Sequence, residues 1–260
     1  RLQASYPDIS HSSLRFLERE GLIAAHRTPG GHRLYSPGDV DRILQIKQWQ
    51  AQRLSLEEIR QRLARLDDLP PLATLSDTFL SQVLAGDLPG AAQTVLSADD
   101  IGLPLVQTFG KVLQPALVEV GHRWANAELL VAQEKEFSEL TRDLIAELTL
   151  RHAHPRPEGP SVVAACVAGE RHELGLRMIA GLLREQGYPV HYLGADVDAR
   201  FLAEAVELHR PALVLLSVKI RENLPAIAAA VQHLSSLPAP QPLPTIIAGG
   251  QATAGHPEAV

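Results

Sequence analysis

The polarity pattern changes its period along the chain. Between residues 161 and 248 four short apolar runs (161–167, 189–193, 212–216 and 243–248) read as buried strands, and 176–186, between the first two, has helical spacing. Strands alternating with helices predict a parallel sheet. Residues 72–152 lack strand signals. Stretches 75–84 and 91–96 read as short helices split by Gly86-Asp87-Leu88-Pro89-Gly90. Residues 101–124 place Leu105, Phe109, Val112, Leu113, Leu117 and Val120 near helical spacing, with Pro115 expected to bend the helix. Asn126 is expected to cap a last helix, Glu128 lying near its positive end. Four helices with short connections predict a small bundle.

The first segment is patterned differently. Ser10 reads as the N-cap of a helix that buries Leu14, Phe16 and Leu17 and stops at Gly21. Pro29-Gly30-Gly31 marks a tight turn between two short strands. Ser36-Pro37 opens a helix carrying Val40, Ile43, Leu44 and Ile46, and Ser55 with Glu58 has capping-box spacing. The expected architecture is multidomain α and α/β, in three parts: residues 1–66, 70–152 and 160–260. His152, His154, Pro155, Pro157, Gly159 and Pro160 read as a linker whose two histidines are too few for a metal site.

Composition narrows the class. The 260 residues are 45% hydrophobic and 21% charged, as in ordinary globular proteins of more than one domain. No run of 18 apolar residues occurs, so no membrane partner is expected. The one cysteine, Cys166, excludes a disulfide framework or a cysteine-rich metal site and fits a reducing cytoplasm. Nothing at the start resembles a leader. The segment ahead of residue 8 reads as a clipped first helix, and a final strand and helix are expected beyond Val260. Charge is uneven. Residues 1–66 hold eleven Lys/Arg against seven Asp/Glu, whereas the remainder holds thirteen against twenty-three. A basic first segment on an acidic body suggests a nucleic-acid-binding module.

The densest chemistry is Gly169-Glu170-Arg171-His172-Glu173-Leu174-Gly175, directly after the first strand. A histidine there faces the crevice at the carboxyl ends of the strands, where open α/β sheets bind ligands. The later strands end in Ser217 and in Gly249-Gly250, small residues that open a slot for an extended ligand tail. No nucleophile–base pair or carboxylate dyad accompanies them, so no enzyme is expected. His-x-x-Gly, then Ser, then Gly-Gly resembles the cobalamin-binding Rossmann-like domain over residues 160–260. The resemblance implies His172 as lower ligand to cobalt, with Glu170 (Asp in the usual pattern) holding its other ring nitrogen. It implies Arg171, Glu173, Gly175, Ser217, Val218, Gly249 and Gly250 around the cofactor. Lys219 fits either a solvated turn residue or a partner for the nucleotide-tail phosphate.

Ser-Ser-Leu-Arg-Phe-Leu-Glu-Arg-Glu-Gly-Leu (12–22) and Arg-Thr-Pro-Gly-Gly-His-Arg-Leu-Tyr (27–35) resemble the winged helix-turn-helix of the MerR regulators. That resemblance places Ser12, Ser13, Arg15 and Arg19 on or near the helix that enters the major groove of double-stranded operator DNA. Arg27, His32, Arg33 and Tyr35 fall in the wing. The alternative for Arg15 is pairing with Glu18 or Glu20 inside the helix. Val131, Glu134, Ser138 and Thr141 share a helical stripe that Trp124 can lean over, as an alternative to plain core packing. The whole is similar to the cobalamin-dependent photoreceptor repressors of the MerR family, the CarH type. There a Trp and a Glu-His pair cap adenosylcobalamin, so Trp124, Val131, Glu134 and Lys135 are implied as the cap. Lys135 and Ala125 stand where that family has histidines, so its bis-histidine state after illumination is not implied. The resemblance further implies a homo-oligomer, dimer or tetramer, that binds DNA in the dark and disperses in light. Two other readings stay open. One is a corrinoid methyl carrier. The other is a regulator taking methyl- or hydroxocobalamin, or another tetrapyrrole such as a bilin.

Overall fold

In a computed structural model of the chain, residues 9–154, 156, 158–236 and 244–254 are described. The chain divides into two compact units, residues 1–71 with 100–104, and residues 72–99 with 105–260. In the first, helix α1 (His11–Arg19) starts where the Ser10 hydroxyl accepts the Ser13 N–H at 3.1 Å, and stops ahead of Gly21, whose φ is +70°. Strands β1 (His26–Arg27) and β2 (Arg33–Leu34) pair antiparallel as the expected wing. Helices α2 (Pro37–Ala51) and α3 (Leu56–Asp67) both open on capping boxes, Ser36 with Asp39 and Ser55 with Glu58. Leu14, Leu17, Ile43, Ile46, Trp49, Ile59 and Leu63 close the core, while Phe16 is only partly buried against it.

The second unit begins with a bundle: α4 (Leu72–Leu84), α5 (Leu88–Ile101), then α6 (Leu105–Gln107), which runs through a π-helical segment (Thr108–Leu113) into α7 (Gln114–Ala125), and last α8 (Val131–His152). Two expectations are corrected here. Ile101 ends α5 and does not begin the next helix, because Gly102 takes a φ of +107°. Pro115, expected to bend the helix, sits in the first turn of α7, directly after the π-helical segment. The wider pitch just ahead of it bonds the Gln114 N–H to the Phe109 carbonyl, which absorbs the donor a proline lacks. Asn126 closes α7 from behind and does not cap α8, which opens at Val131, where the Gln133 side chain accepts the Leu130 N–H at 3.1 Å. Phe79, Phe109 and Phe137 fill the bundle core, the first and last with ring centroids 5.5 Å apart.

His152 also departs from expectation. It is the last residue of α8, and its Nε2 lies 2.6 Å from Oδ1 of Asp99, a nearly buried carboxylate near the end of α5 that also receives Arg151 at 3.3 Å. The signal was hidden because the two partners lie 53 residues apart. Pro155 and Pro157 of the expected linker lie outside the described residues.

Four parallel strands follow: β3 (Val162–Val167), β4 (Val190–Val197), β5 (Leu213–Ser217) and β6 (Thr245–Gly249), in the order β4-β3-β5-β6. Helix α9 (Leu174–Glu185) packs on one face, over Ala164, Cys166 and Tyr192. Helices α10 (Ala199–His209) and α11 (Leu224–Ser235) cover the other, over Val163, Ala165, Val214 and Leu216. Central β3 is buried at every position, which is why its sequence is an uninterrupted apolar run. The second strand is longer than its apolar run, because β4 continues through Gly194 and Asp196 by register shifts, both residues having positive φ. Leu243, expected to start the last strand, lies outside the described residues. Strand order reverses between β3 and β5, and that switch point opens the crevice at their carboxyl ends. Among the described residues no helix is long and apolar enough to cross a membrane.

Helix α9 also packs against α8 of the bundle at Gly181, where an added Cβ would lie 2.5 Å from Thr149 Oγ1 and 3.0 Å from the Phe109 ring. Gly181→Val should therefore cost about 1–3 kcal/mol by overpacking, read as a lowered urea midpoint. The Asp99 hydrogen bond, working against partial burial, raises the His152 pKa, with Glu185 adding to the rise and Arg151 opposing it. A raised folded-state value means the stabilisation is full below about pH 6.5 and is lost as pH rises through the raised value. The stability gap between wild type and His152→Gln should be wide at about pH 5.5 and narrow at about pH 9, by urea unfolding at both.

Candidate functional site

The loop between β3 and α9 is organised by one carboxylate. Glu170 is fully buried. Its Oε1 accepts the His172 backbone N–H at 2.9 Å and faces His172 Nδ1 at 2.6 Å. Its Oε2 accepts the backbone N–H groups of Lys219 and Ile220, after β5, at 2.7 and 2.9 Å, with Asn223 at 3.4 Å. Its main-chain carbonyl takes the Asp196 N–H at the end of β4, and Asp196 Oδ1 in turn accepts the Gly169 N–H at 2.7 Å. Glu170 thus links the ends of three neighbouring strands. Burial alone would raise its pKa. The hydrogen bonds from His172, Ile220 and Lys219 outweigh burial and pull it down to about 2.

An ionised carboxylate only accepts, so Nδ1 of His172 carries the ring proton and Nε2 presents its lone pair. That side chain is 46% exposed, and Nε2 has no hydrogen-bond partner among the described residues. The surroundings suit a flat, bulky ligand. An added Cβ would meet nothing within 4 Å at Gly175, in the first turn of α9, or at Gly249. Gly250 is constrained instead: with φ +129°, a Cβ there would fall 2.0 Å from the Val218 carbonyl oxygen, so the turns after β5 and β6 come this close only over glycine. A single aromatic-type nitrogen beside open glycines fits the lower face of a tetrapyrrole bearing a metal.

Other expected cofactor residues are placed as follows. Arg171 is exposed. Ser217 ends β5, and the neighbouring Cys166 thiol, which donates to the His172 carbonyl at 3.8 Å, is pushed up to about 12 by burial and the Glu170 and Glu173 charges. Val218 is turned into the core beneath the sheet, so only its backbone borders the crevice. Lys219 contributes its backbone N–H to Glu170. Glu173 faces the bundle and not the crevice. Its carboxylate meets Arg142 of α8 at 2.9 Å, Arg177 at 3.3 Å and the Tyr192 hydroxyl at 3.0 Å. Arg177 also lies over the Tyr192 ring, 4.8 Å from its centroid. Sequence reasoning missed Arg142, Asp196 and Asn223, whose partners in this cluster are remote in the chain.

On the bundle, Trp124 is 56% exposed and Val131 is likewise exposed, so core packing does not account for the indole. Glu134 accepts from Ser138 at 2.8 Å and pairs with Lys135 at 3.1 Å. On the same stripe Thr141 is buried, and its hydroxyl lacks a hydrogen-bond partner.

In the first unit, Ser12, Arg15 and Arg19 line an open groove along α1, together with His11 and Phe16, which sequence reasoning passed over. Arg19 stacks on the Phe16 ring at 5.4 Å and pairs with Glu20 at 3.6 Å. Among the described residues no carboxylate pairs with Arg15, so the pairing alternative for it is not realised. Ser13 is turned back on the helix start, its hydroxyl bonding the Ser10 carbonyl at 2.8 Å. In the wing His32 is exposed, while Arg27 and Arg33 both reach Glu18 of α1. The Tyr35 hydroxyl is buried without a hydrogen-bond partner.

Three stretches of the chain match known families. A B12 binding domain family matches residues 160–260, a second B12 binding domain family matches 75–149, and the MerR HTH regulatory family matches 5–66. The chain is 31% identical over 253 residues to the HTH-type transcriptional repressor CarH of Myxococcus xanthus, covering 92% of this chain and 83% of that protein. It is 31% identical over 258 residues to CarA, a repressor of the same organism, covering 96% and 85%. The structure of the Methanosarcina barkeri monomethylamine corrinoid protein shares the fold over 69% of this chain and 83% of its own, with a TM-score of 0.56 at 21% identity. The chain therefore belongs to the family of MerR-type transcriptional repressors that includes CarH and CarA, and is a cobalamin-binding, DNA-binding regulator within it.

Proposed function

We propose that this regulator carries adenosylcobalamin as a light sensor, with His172 Nε2 as the lower ligand to cobalt, and that the cofactor's upper substituent sets the assembly state of a homo-oligomer on operator DNA. The observation that carries the reading is the grip of Glu170 on His172. It fixes the tautomer, aims the free nitrogen and spends a buried charge to do so. Bound there, the cofactor supplies a cobalt–carbon bond that light can break.

The chain's own residues do the rest. Trp124, Val131, Glu134 and Lys135 present a partly apolar surface that an adenosyl group would cover, and water wets it otherwise. Both Glu134 and Arg142 belong to α8, and Arg142 holds Glu173, the residue next to His172. A shift of α8 on loss of the upper group is thus felt at the lower-ligand loop, and a bistable docking of bundle on sheet would convert it into a change of oligomer. On DNA, α1 occupies the major groove through Ser12, Arg15 and Arg19, while Ser13 secures its first turn and the wing residues Arg27, His32, Arg33 and Tyr35 border the flanking backbone. Gly175, Ser217, Gly249 and Gly250 border the slot for the nucleotide tail.

His172→Ala should weaken adenosylcobalamin uptake by about tenfold or more and shift the visible spectrum of what remains bound. Unaltered uptake with an unaltered spectrum would remove His172 as the ligand, and a bilin-like or absent chromophore in the wild type would remove the cofactor itself. Separately, green light should reduce the mass of the loaded wild-type oligomer in size-exclusion chromatography and lower its affinity for a duplex selected from a random-sequence library. Mass and affinity both indifferent to light would end the photoreceptor reading and leave cobalamin binding intact.

A further inference from the structure

The two guanidiniums of the wing that could meet DNA are held by one carboxylate of the groove helix. Glu18, on α1, receives Arg33 Nε at 2.7 Å on Oε2 and Arg27 at 3.5 Å on Oε1. Arg33 and Glu18 are both mostly shielded, with side-chain exposures of 29% and 24%, whereas Arg27 is 55% exposed. The contact closes α1 onto β1 and β2 across 15 residues of sequence. The Tyr35 hydroxyl is buried with no hydrogen-bond partner, and the charges of Glu18, Arg33 and Arg27 act on it. The other basic residues of this surface are arranged differently. Arg15 has no carboxylate partner among the described residues, and Arg19 is laid over Phe16 with the adjacent Glu20 at 3.6 Å, away from the wing.

Phosphates attract every free guanidinium regardless of sequence, and each neutralised phosphate adds about 0.9 to the dependence of log affinity on log salt. Base contacts from a groove helix discriminate; backbone contacts only position. A carboxylate that occupies two wing arginines therefore removes affinity from all DNA alike. It also fixes the angle of the wing to the helix that reads sequence. Both effects favour the duplex on which α1 makes its groove contacts.

We propose that Glu18 is a specificity-determining residue of the DNA-binding module, withholding Arg27 and Arg33 from indiscriminate phosphate contact and tying the wing to the groove helix. It rests on the wing facing DNA.

The test uses the full chain as wild type, Glu18→Gln, and Glu18→Gln combined with Arg27→Ala and with Arg33→Ala. Two probes are needed: a 40-base-pair duplex of mixed sequence, and a duplex selected from a random library by the wild type. Affinities are measured across a salt series, and folding is checked by thermal unfolding. Glu18→Gln should bind the mixed duplex more tightly than wild type, with a salt slope steeper by about 0.9 to 1.8. Its preference for the selected duplex should fall several-fold. Adding either alanine should remove about half of the extra slope. An unchanged slope and preference in a folded Glu18→Gln protein would overturn the proposal. So would equal weakening on both duplexes, which marks a purely structural clasp, or extra slope that survives both alanines. If removing both arginines from the wild type leaves binding to either duplex untouched, the wing does not face DNA, and it is that underlying reading that fails.

Discussion

A carboxylate with no exposure to water is costly, several kcal/mol even after relaxation, unless its lone pairs are filled. Glu170 fills them with four strong donors, and hydrogen bonds to a charged acceptor contribute about 1.5–3 kcal/mol each. The donors win, as the depressed pKa records. Three of them are backbone N–H groups, which cannot rotate away. The fourth is the imidazole. The same charge that closes the strand ends into a crevice thus orients the imidazole that faces it, and the geometry of the crevice follows from a single satisfied burial.

The second carboxylate of the loop works in the opposite direction. Glu170 ties His172 back to the sheet, whereas Glu173 reaches out to Arg142 on the bundle. The histidine sits between two anchors on separate structural layers. Gly181 adds a steric contact between the same layers, allowing α8 and α9 to approach until Thr149 and Phe109 fill the place of a side chain. Bundle and sheet are therefore joined by a close-packed seam and by an ion pair on the residue next to His172. Close-packed seams have discrete arrangements and are poor at continuous deformation, a property a switch requires.

Local patterns made most of this legible. Serine caps, the glycine stop of α1, the apolar run of β3 and the small residues that end β5 and β6 all act within a few residues, and each fell where the pattern put it. The Glu170–His172 pair was readable because a single residue separates its members. What escaped was long-range or irregular. Arg142 with Glu173, Asp99 with His152 and Glu18 with Arg33 are pairs of ordinary surface residue types brought together by the fold. The π-helical pitch before Pro115 and the extension of β4 through Gly194 break the periodicity on which such reading depends. The turning of Val218 into the core was missed for a simpler reason: one step past the end of β5 decides which side of the sheet a side chain takes.

The anchoring of Glu170 has an evolutionary corollary. Across the crevice it grips main-chain amides, and main-chain amides are present whatever residue occupies positions 219 and 220, proline excepted. Drift at those two sites leaves the clasp whole. A lineage can therefore restyle the rim of the crevice, exchanging Lys219 for apolar or acidic neighbours to suit a different occupant, without loosening the imidazole beneath it.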